Sequence, residues 1–568
     1  MKKTLLTLFS IWFCSSALTG QGRTIEVKAL QGSANKRLEQ ALLQAANLKG
    51  KPSTIKLEPG IYNLKRADAI QKLYYVSNTT SEQEDADPTK HIGLLLKSLK
   101  NVTIDGEGST LLMDGEMTSF VVDGCENITL KNFCIDHKHP TQTEVTVTEN
   151  GQDYLIVKVH ETSQYRITPD HKLEWYGDGW SFTNGIAQMY NPFRDQTWRS
   201  WSPMENLIKA VEMRPGMLYL QYSKKPDVPV HTTFQIRDAI RDEVCGFINQ
   251  SKNVRLENIH FYYLGNFGMV CQTSENITVD KCDFGPRPGS GRTNAGFADF
   301  IQVSGCKGMV DIKDSRFVGA HDDPINIHGT HLKVIEKTAP NRVKVRYMHS
   351  QTYGFQSFFK GDDIEWVDTQ SLLCVGKSKV KSARMLSERE IEITLSQPMP
   401  ANAASHSGNL AVENVTWTPE VRITGNYFAR IPTRGILITT RRKSLIENNT
   451  FYGTMMCGIQ VCDDALSWFE SGPVHDLTIR QNTFLECGEP VVSIEPENRN
   501  DQGAVHRNIT IEKNSFYMRE NGSRAIHAKS VDGLIIRNNF IYSRTPDRKQ
   551  VSDFVNITNS THVNMENN

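Results

Sequence analysis

One motif constrains this chain more than any other feature: Asn-Ile/Val-Thr-Ile-x-x-Asn-x-Phe, which returns through most of its length. Copies stand at Asn127 to Phe133, Asn253-Val-Arg-Leu-Glu-Asn-Ile-His-Phe261, Asn276-Ile-Thr-Val-Asp-Lys-Cys-Asp-Phe284, Val310 to Phe317 and Val421 to Phe428. They continue as Leu445 to Phe451, Leu477-Thr-Ile-Arg-Gln-Asn-Thr-Phe484, Ile509 to Phe516 and Leu534 to Phe540. The phenylalanines are 23 or 24 residues apart at 261 to 284, 428 to 451 and 516 to 540, and 33 and 32 apart at 451 to 484 and 484 to 516. A β-rich repeat of this length cannot bury its apolar face alone, so successive copies must stack. The pattern predicts an all-β fold, a parallel β-helix, right-handed as strand crossovers usually are. Stacked Asn and Phe should form internal ladders of hydrogen bonds and rings. Growth in one dimension also explains how 568 residues fold without one oversized core.

Two stretches lack the motif, residues 138–235 and 331–413. Alternating strand patterns replace it, as in Thr143-Glu-Val-Thr-Val-Thr and Asn341-Arg-Val-Lys-Val-Arg, and predict two inserted antiparallel β modules of barrel or sandwich type. Residues 21–137 then hold an N-terminal cap and the first coils, with an amphipathic helix near Lys36 to Leu48 over the exposed end of the core. Residues 236–330 and 414–568 carry the remaining coils. Residues 1–20, Met1-Lys2-Lys3 followed by an apolar run to about Leu18, read as an export signal rather than a membrane span. An exported protein, periplasmic or at a bacterial surface, is expected.

The chemistry concentrates in two segments, Asn294-Ala-Gly-Phe-Ala-Asp299-Phe-Ile-Gln-Val-Ser-Gly305 and Gly319-Ala-His-Asp322-Asp323-Pro-Ile-Asn-Ile-His-Gly329, which align with Asp299 on Asp323 at an offset of 24 residues. That offset is one coil, so the two should be stacked strands with Asp299, Asp322 and Asp323 in one patch. In a regular strand adjacent residues face opposite ways. Pro324 and the residues around Gly319 argue for a break that lets Asp322 and Asp323 reach the same cleft. Like charges this close cannot all ionise, so one becomes an acid. Glycoside hydrolysis with inversion needs such an acid and a carboxylate that activates water. We assign Asp322 to protonate the leaving group, and Asp299 and Asp323 to water activation. The competing structural reading is a capped solenoid turn or a calcium site. Around the patch, His321, His328, Arg292, Arg434, Trp468, Glu470 and Glu495 are candidates for substrate contact, and His331 flanks it. Offset by one coil, Gly435-Ile-Leu-Ile falls on Gly458-Ile-Gln-Val. The Gly-rich loop 285–295 precedes Asp299, where loops shape clefts.

Composition narrows the partners. Lys plus Arg equal Asp plus Glu at 64 each. With no basic stripe interleaved with aromatics, nothing points to nucleic acid. The cysteines after Cys14 form no close metal-type cluster and lie in or beside apolar strand patterns, as small core hydrophobes. Four of the eight tryptophans, Trp175, Trp180, Trp198 and Trp201, fall in the first insertion, as its core or as sugar contacts.

The run Gly285-Pro-Arg-Pro-Gly-Ser-Gly-Arg-Thr293, then Phe297-Ala-Asp299, then Gly319-Ala-His-Asp-Asp-Pro-Ile-Asn-Ile-His-Gly-Thr-His331 resembles the α-1,3-galactosidases of glycoside hydrolase family 110. The resemblance covers nearly the whole mature chain, although Phe284 replaces an alanine of the pattern. It implies an inverting exo-enzyme without metal or cofactor that removes terminal α-1,3-linked galactose from blood-group-B-type branched or linear host glycans, with catalytic aspartates at 299, 322 and 323. The segment Tyr74-Tyr-Val-Ser-Asn-Thr79 resembles the subgroup that accepts linear substrates as well. An inserted barrel could also serve a homodimer contact. Two alternatives remain open, a polygalacturonase-like β-helix hydrolase acting on uronides and a non-catalytic glycan-binding solenoid.

Overall fold

A computed structural model describes residues 22–30, 32–406, 408–544 and 550–566. The expected leader, residues 1–20, lies outside them. No helix among the described residues is long and apolar enough to cross a membrane.

Polar and apolar residues alternate along each copy of the motif, and every coil turns its apolar side inward. Two long parallel sheets result, one of 21 strands and one of 13, enclosing one continuous core from Ile25 to Phe554. Strand Arg23–Val27 pairs in parallel with Ser53–Leu57 and starts the first sheet. Between them, helix Ala34–Ala46 lays Ala34, Leu38, Ala41, Leu42 and Ala45 over the end of the core. The cap protects strand ends that water would otherwise reach.

Two ladders run through the interior. Phe261, Phe284, Phe317, Phe428, Phe451, Phe484 and Phe516 stack with centroids 4.6–5.0 Å apart and nearly parallel planes. Beside them Asn426, Asn449, Asn482, Asn514 and Asn539 are chained by Nδ2-to-Oδ1 bonds of 3.0 Å, each Nδ2 also donating to a backbone carbonyl of the preceding coil. The motif misplaces the phenylalanine stack at both ends. Phe133 pairs with Ile259, and Ile135 takes the position opposite Phe261. At the other end Phe540 pairs with Ser515 and is 54% exposed, while Ile541 lies opposite Phe516. Both ends keep an apolar residue in the ladder register and change only its identity.

The first insertion spans strands Thr143–Asn150 to Thr233–Arg237. It forms a seven-stranded antiparallel sheet with a separate three-stranded sheet packed on it. Trp175 and Trp180 are buried inside this module, and Trp201 packs against Phe234, so these tryptophans make its core. The second insertion, strands Leu332–Ala339 to Leu410–Asn414, is a closed six-stranded barrel around Trp366. All ten described cysteines are free thiols, seven of them buried.

The register at the C-terminal end has a measurable consequence. Phe484→Ala should cost about 3–5 kcal/mol, as truncating a fully buried aromatic does. Phe540→Ala, outside the stack, should cost less than about 1 kcal/mol. Thermal unfolding of both variants checks this; equal losses would mean that Phe540 belongs to the stack.

Candidate active site

The register of the second sheet builds the site. Strands Ile301–Ser304, Ile325–Thr330 and Ile436–Ile438 pair in parallel with Ile301, Ile325 and Ile436 aligned. Two residues before those isoleucines stand Asp299, Asp323 and Arg434, so two carboxylates and a guanidinium occupy the same position in three successive coils. One residue after them stand Gln302, Asn326 and Leu437, with Gln460 in the next coil. The pairing of Ile436 with Ile459 is the one-coil offset expected from the sequence. Ahead of Ile325 the chain leaves the strand at Gly319, whose φ of +77° suits glycine and where a Cβ would lie 2.9 Å from Asn294 Cα. After that break Asp322 and Asp323, adjacent in sequence, both line the pocket with Asp299. Counting its open mouth, the pocket holds about 630 Å³.

The three carboxylates have different surroundings. Asp323 is buried and gripped by Arg434, which donates its backbone N–H and Nε–H to Oδ1 at 3.1 and 2.9 Å and brings Nη2 to 2.7 Å from Oδ2. Burial pushes the Asp323 carboxyl up while Arg434 pulls it down. Among the described residues Asp299 has no such cation in contact. Burial first, then Asp322 and Asp323, hold its carboxyl well above the usual range. Asp322 is nearest the mouth, its side chain 14% exposed. Arg199 and Arg241 lie 3.4 Å from its two oxygens, with Arg434 at 4.0 Å.

The first insertion supplies Arg199 and fixes the strand break. Gln188 Nε2 donates to the His321 carbonyl at 2.8 Å, Gln142 Nε2 meets the His321 ring with Nδ1 at 2.7 Å, and Gln235 Oε1 lies 3.0 Å from Nε2. The ring is thus enclosed by the side-chain amides of Gln142 and Gln235. Burial, then Arg237 and Arg199, keeps its pKa well below the ordinary value. Glu144, from the same module, accepts bonds from the Thr293 N–H and hydroxyl and from Asn294 Nδ2 at 2.6–3.0 Å, tying down the loop before Asp299.

The other end of the pocket is made by loop 463–471 and by the segment around Asn78. The Asp464 carboxylate takes backbone N–H groups from Leu466 through Phe469, shaping the turn that presents Trp468 and Glu470. Trp468 is 42% exposed and stacks on His349 of the barrel at 4.3 Å. Asn78 Nδ2 donates to Glu470 Oε1 at 2.9 Å, closing the pocket at that end.

Of the residues named from sequence, Asp299, Asp322, Asp323, Arg434, Trp468 and Glu470 line one pocket. Four others do not, and the expectation that they touch substrate is corrected. Arg292 is buried against Asp136 at 2.6 Å, where it braces the Gly-rich loop. His321 is enclosed by glutamines. His328 is buried behind Glu470, 3.5 Å from it, with Gln302 at 2.9 Å. Glu495 is exposed off the wall, and Glu497 takes the place expected of it. Asn78, Arg241, Asn326 and Gln460 were missed. Asn326 and Gln460 are on the aligned strands and could have been found by extending the one-coil alignment to every position that faces away from the core. Asn78 and Arg241 come from outside those coils, and no spacing points to them.

Asp299 yields a stability test. A carboxyl whose folded pKa is raised contributes stability only while protonated, below the unfolded value near 4, and loses it as pH rises through the folded value. Asp299→Asn should therefore melt higher than the parent at pH 8 while the two melt alike near pH 3. A variant less stable than the parent at pH 8 would mean that the ionised carboxylate is held by favourable partners.

Residues 342–406 match the family model described as GLAA-B beta-barrel domain II, and residues 402–503 the one described as right handed beta helix region, which gives the solenoid its hand. α-1,3-Galactosidase A of Bacteroides thetaiotaomicron is 66% identical over 561 residues, 99% of this chain and 98% of that protein. α-1,3-Galactosidase A of Akkermansia muciniphila is 36% identical, over 90% and 84% of the two chains. α-1,3-Galactosidase B of Bacteroides thetaiotaomicron is 31% identical, over 87% and 81%. Among solved structures, an exopolygalacturonase from Thermotoga maritima aligns over 94% of this chain and 92% of its own, at 10% identity and a TM-score of 0.35. With relatives this similar over nearly its whole length, the chain belongs to the α-1,3-galactosidase family of glycoside hydrolases.

Proposed function

We propose that this protein is an exported, exo-acting, inverting α-1,3-galactosidase that removes terminal galactose from branched blood-group-B-type and linear host glycans. The observation that carries the reading is the carboxylate arrangement: Asp299 and Asp323 deep and one coil apart, Asp322 beside them and nearer the mouth. A leaving sugar departs through the mouth, so the acid that protonates its oxygen is Asp322. Asp299 and Asp323 hold the attacking water from within the pocket, on the opposite face of the bound galactose. Burial drives the Asp299 carboxyl toward its protonated form, so it must give up that proton before it can take one from water, and Asp322, the acid of this scheme, is the neighbour placed to receive it. Asp299 and Asp323 stand one coil apart in the same register, so the pH–rate profile reports the pair rather than either residue.

The closed end supports the exo mode. The Asn78–Glu470 bond joins two loops beyond the strand ends, leaving a pocket rather than an open groove. Charge argues against a uronide substrate. The wall carries Asp299, Asp322, Asp323, Asp464, Glu470 and Glu497 against Arg241 and Arg434, and both arginines already face aspartates. A sugar carboxylate there would meet uncompensated like charge.

The first experiment is proton NMR during hydrolysis of an oligosaccharide ending in α-1,3-galactose. β-Galactose should appear before mutarotation; α-galactose first would reject the water-activating roles. Asp322→Asn should lower turnover of that substrate by about two to four orders of magnitude. The loss should be much smaller on an aryl α-galactoside whose leaving group needs no proton. Asp299→Asn and Asp323→Asn should fail on both substrates. If Asp322→Asn lost both equally, Asp322 would not be the acid.

A further inference from the structure

Beyond Asp322 the pocket opens onto a hairpin of the first insertion, strands Ile186–Asn191 and Gln196–Ser200, paired in register from Ala187↔Ser200 to Asn191↔Gln196. The hairpin is fastened at both ends. At its base Gln188 Nε2 holds the His321 carbonyl at 2.8 Å. At its tip Asp195 Oδ1 accepts from Arg430 Nε at 2.6 Å and from the Tyr190 hydroxyl at 2.8 Å, and the Arg430 guanidinium lies 4.9 Å from the Tyr190 ring centroid. Arg430 belongs to the coil after the one that carries Asp322 and Asp323, so the hairpin spans the mouth along the stacking direction. Arg199 is paired directly opposite Gln188, at the base of the hairpin. Its guanidinium is 3.4 Å from Asp322 Oδ1, yet its side chain is 54% exposed, against 15% for Arg241 on the other oxygen.

A half-exposed ion pair at that distance contributes little to stability, so stability alone does not explain why a doubly fastened hairpin holds this side chain here. We propose that the hairpin is the aglycone-binding element of the enzyme and that Arg199 donates hydrogen bonds to the sugar on the leaving side of the scissile bond. This rests on the reading of Asp322 as the residue next to the leaving oxygen. The ligand is a neutral hexose with free hydroxyls, which a planar fork with five N–H donors can engage while one edge faces Asp322. The galactose itself lies on the other side of Asp322, over Asn326, Gln460 and Glu470.

Binding to a catalytically silenced protein separates this role from any effect of Arg199 on proton transfer. Calorimetry on Asp322→Asn and on Asp322→Asn with Arg199→Ala compares an α-1,3-galactosyl disaccharide with free galactose. The second change should weaken the disaccharide by about 10- to 100-fold, at least tenfold more than it weakens galactose. Asp195→Ala, which frees the tip, should shift the same ratio in the same direction. Equal weakening of both ligands, or none, would overturn the proposal, leaving Arg199 a general support of the pocket or a surface charge. Failure of the parent enzyme to release galactose would instead overturn the proposed function, so the two failures are distinguishable.

Discussion

Stacking at the parallel-strand spacing of about 4.8 Å is the constraint on which everything else depends. Whatever residue occupies a register position in one coil meets its equivalent in the next. Inside the solenoid this makes rings lie on rings and amides on amides. On the wall the same operation brings Asp299 to Asp323. Two ionised carboxylates at roughly 5 Å repel by about 3 kcal/mol at an effective dielectric near 20. The structure offsets this in two ways that matter for chemistry. The next coil places Arg434 in the same register as a bidentate partner for Asp323. Asp299, with no cation in contact, is the carboxyl that burial drives toward its protonated form.

The amide ladder stops short of the coils that line the pocket. From Asn426 onward each coil contributes an asparagine, but the coils of Asp299 and Asp323 have Cys282 and Ser315 at that corner, linked by a single backbone-to-hydroxyl bond of 3.0 Å. Those coils also lose regular strand geometry before Ile301 and Ile325. Their bracing comes from outside instead, through Glu144 on the Gly-rich loop and Gln142, Gln188 and Gln235 around His321. His321 and Arg292 are conspicuous in the sequence because they sit beside the catalytic segments. Their work is to hold those segments in place, and their burial is the physical sign of it.

The repeat made the solenoid, its two interruptions and the carboxylate patch legible, because period and register are properties of the sequence itself. Even there the register failed at Phe133 and Phe540, where Ile135 and Ile541 take the ladder position. A motif match weighs phenylalanine above isoleucine, while the core accepts any apolar side chain that fills the site. Contacts made by chain outside the coils were not legible. Asn78 reaches Glu470 across 392 residues, and Arg199 reaches Asp322 across 123. Both depend on how distant segments of the chain dock, which no local spacing encodes.

The two insertions take their meaning from the strand between them. The barrel begins at Leu332, directly after strand Ile325–Thr330, while the first module grips the chain at His321 and Asp322, before that strand starts. They therefore stand at opposite ends of the same short strands, and the length of those strands sets the distance between them. Four to six residues at about 3.3 Å each give roughly 13–20 Å. That placement supports the proposed exo mode: a glycan running along the strands would meet one module or the other, whereas a chain end would need only the open mouth above Asp322. The same geometry divides the labour. On the proposed exo reading, the barrel side, with His349 under Trp468 and the Asn78–Glu470 bond, would close over the terminal sugar. The sheet module would then stand where the rest of the glycan leaves, so variation there would change which glycans are accepted without altering the three aspartates.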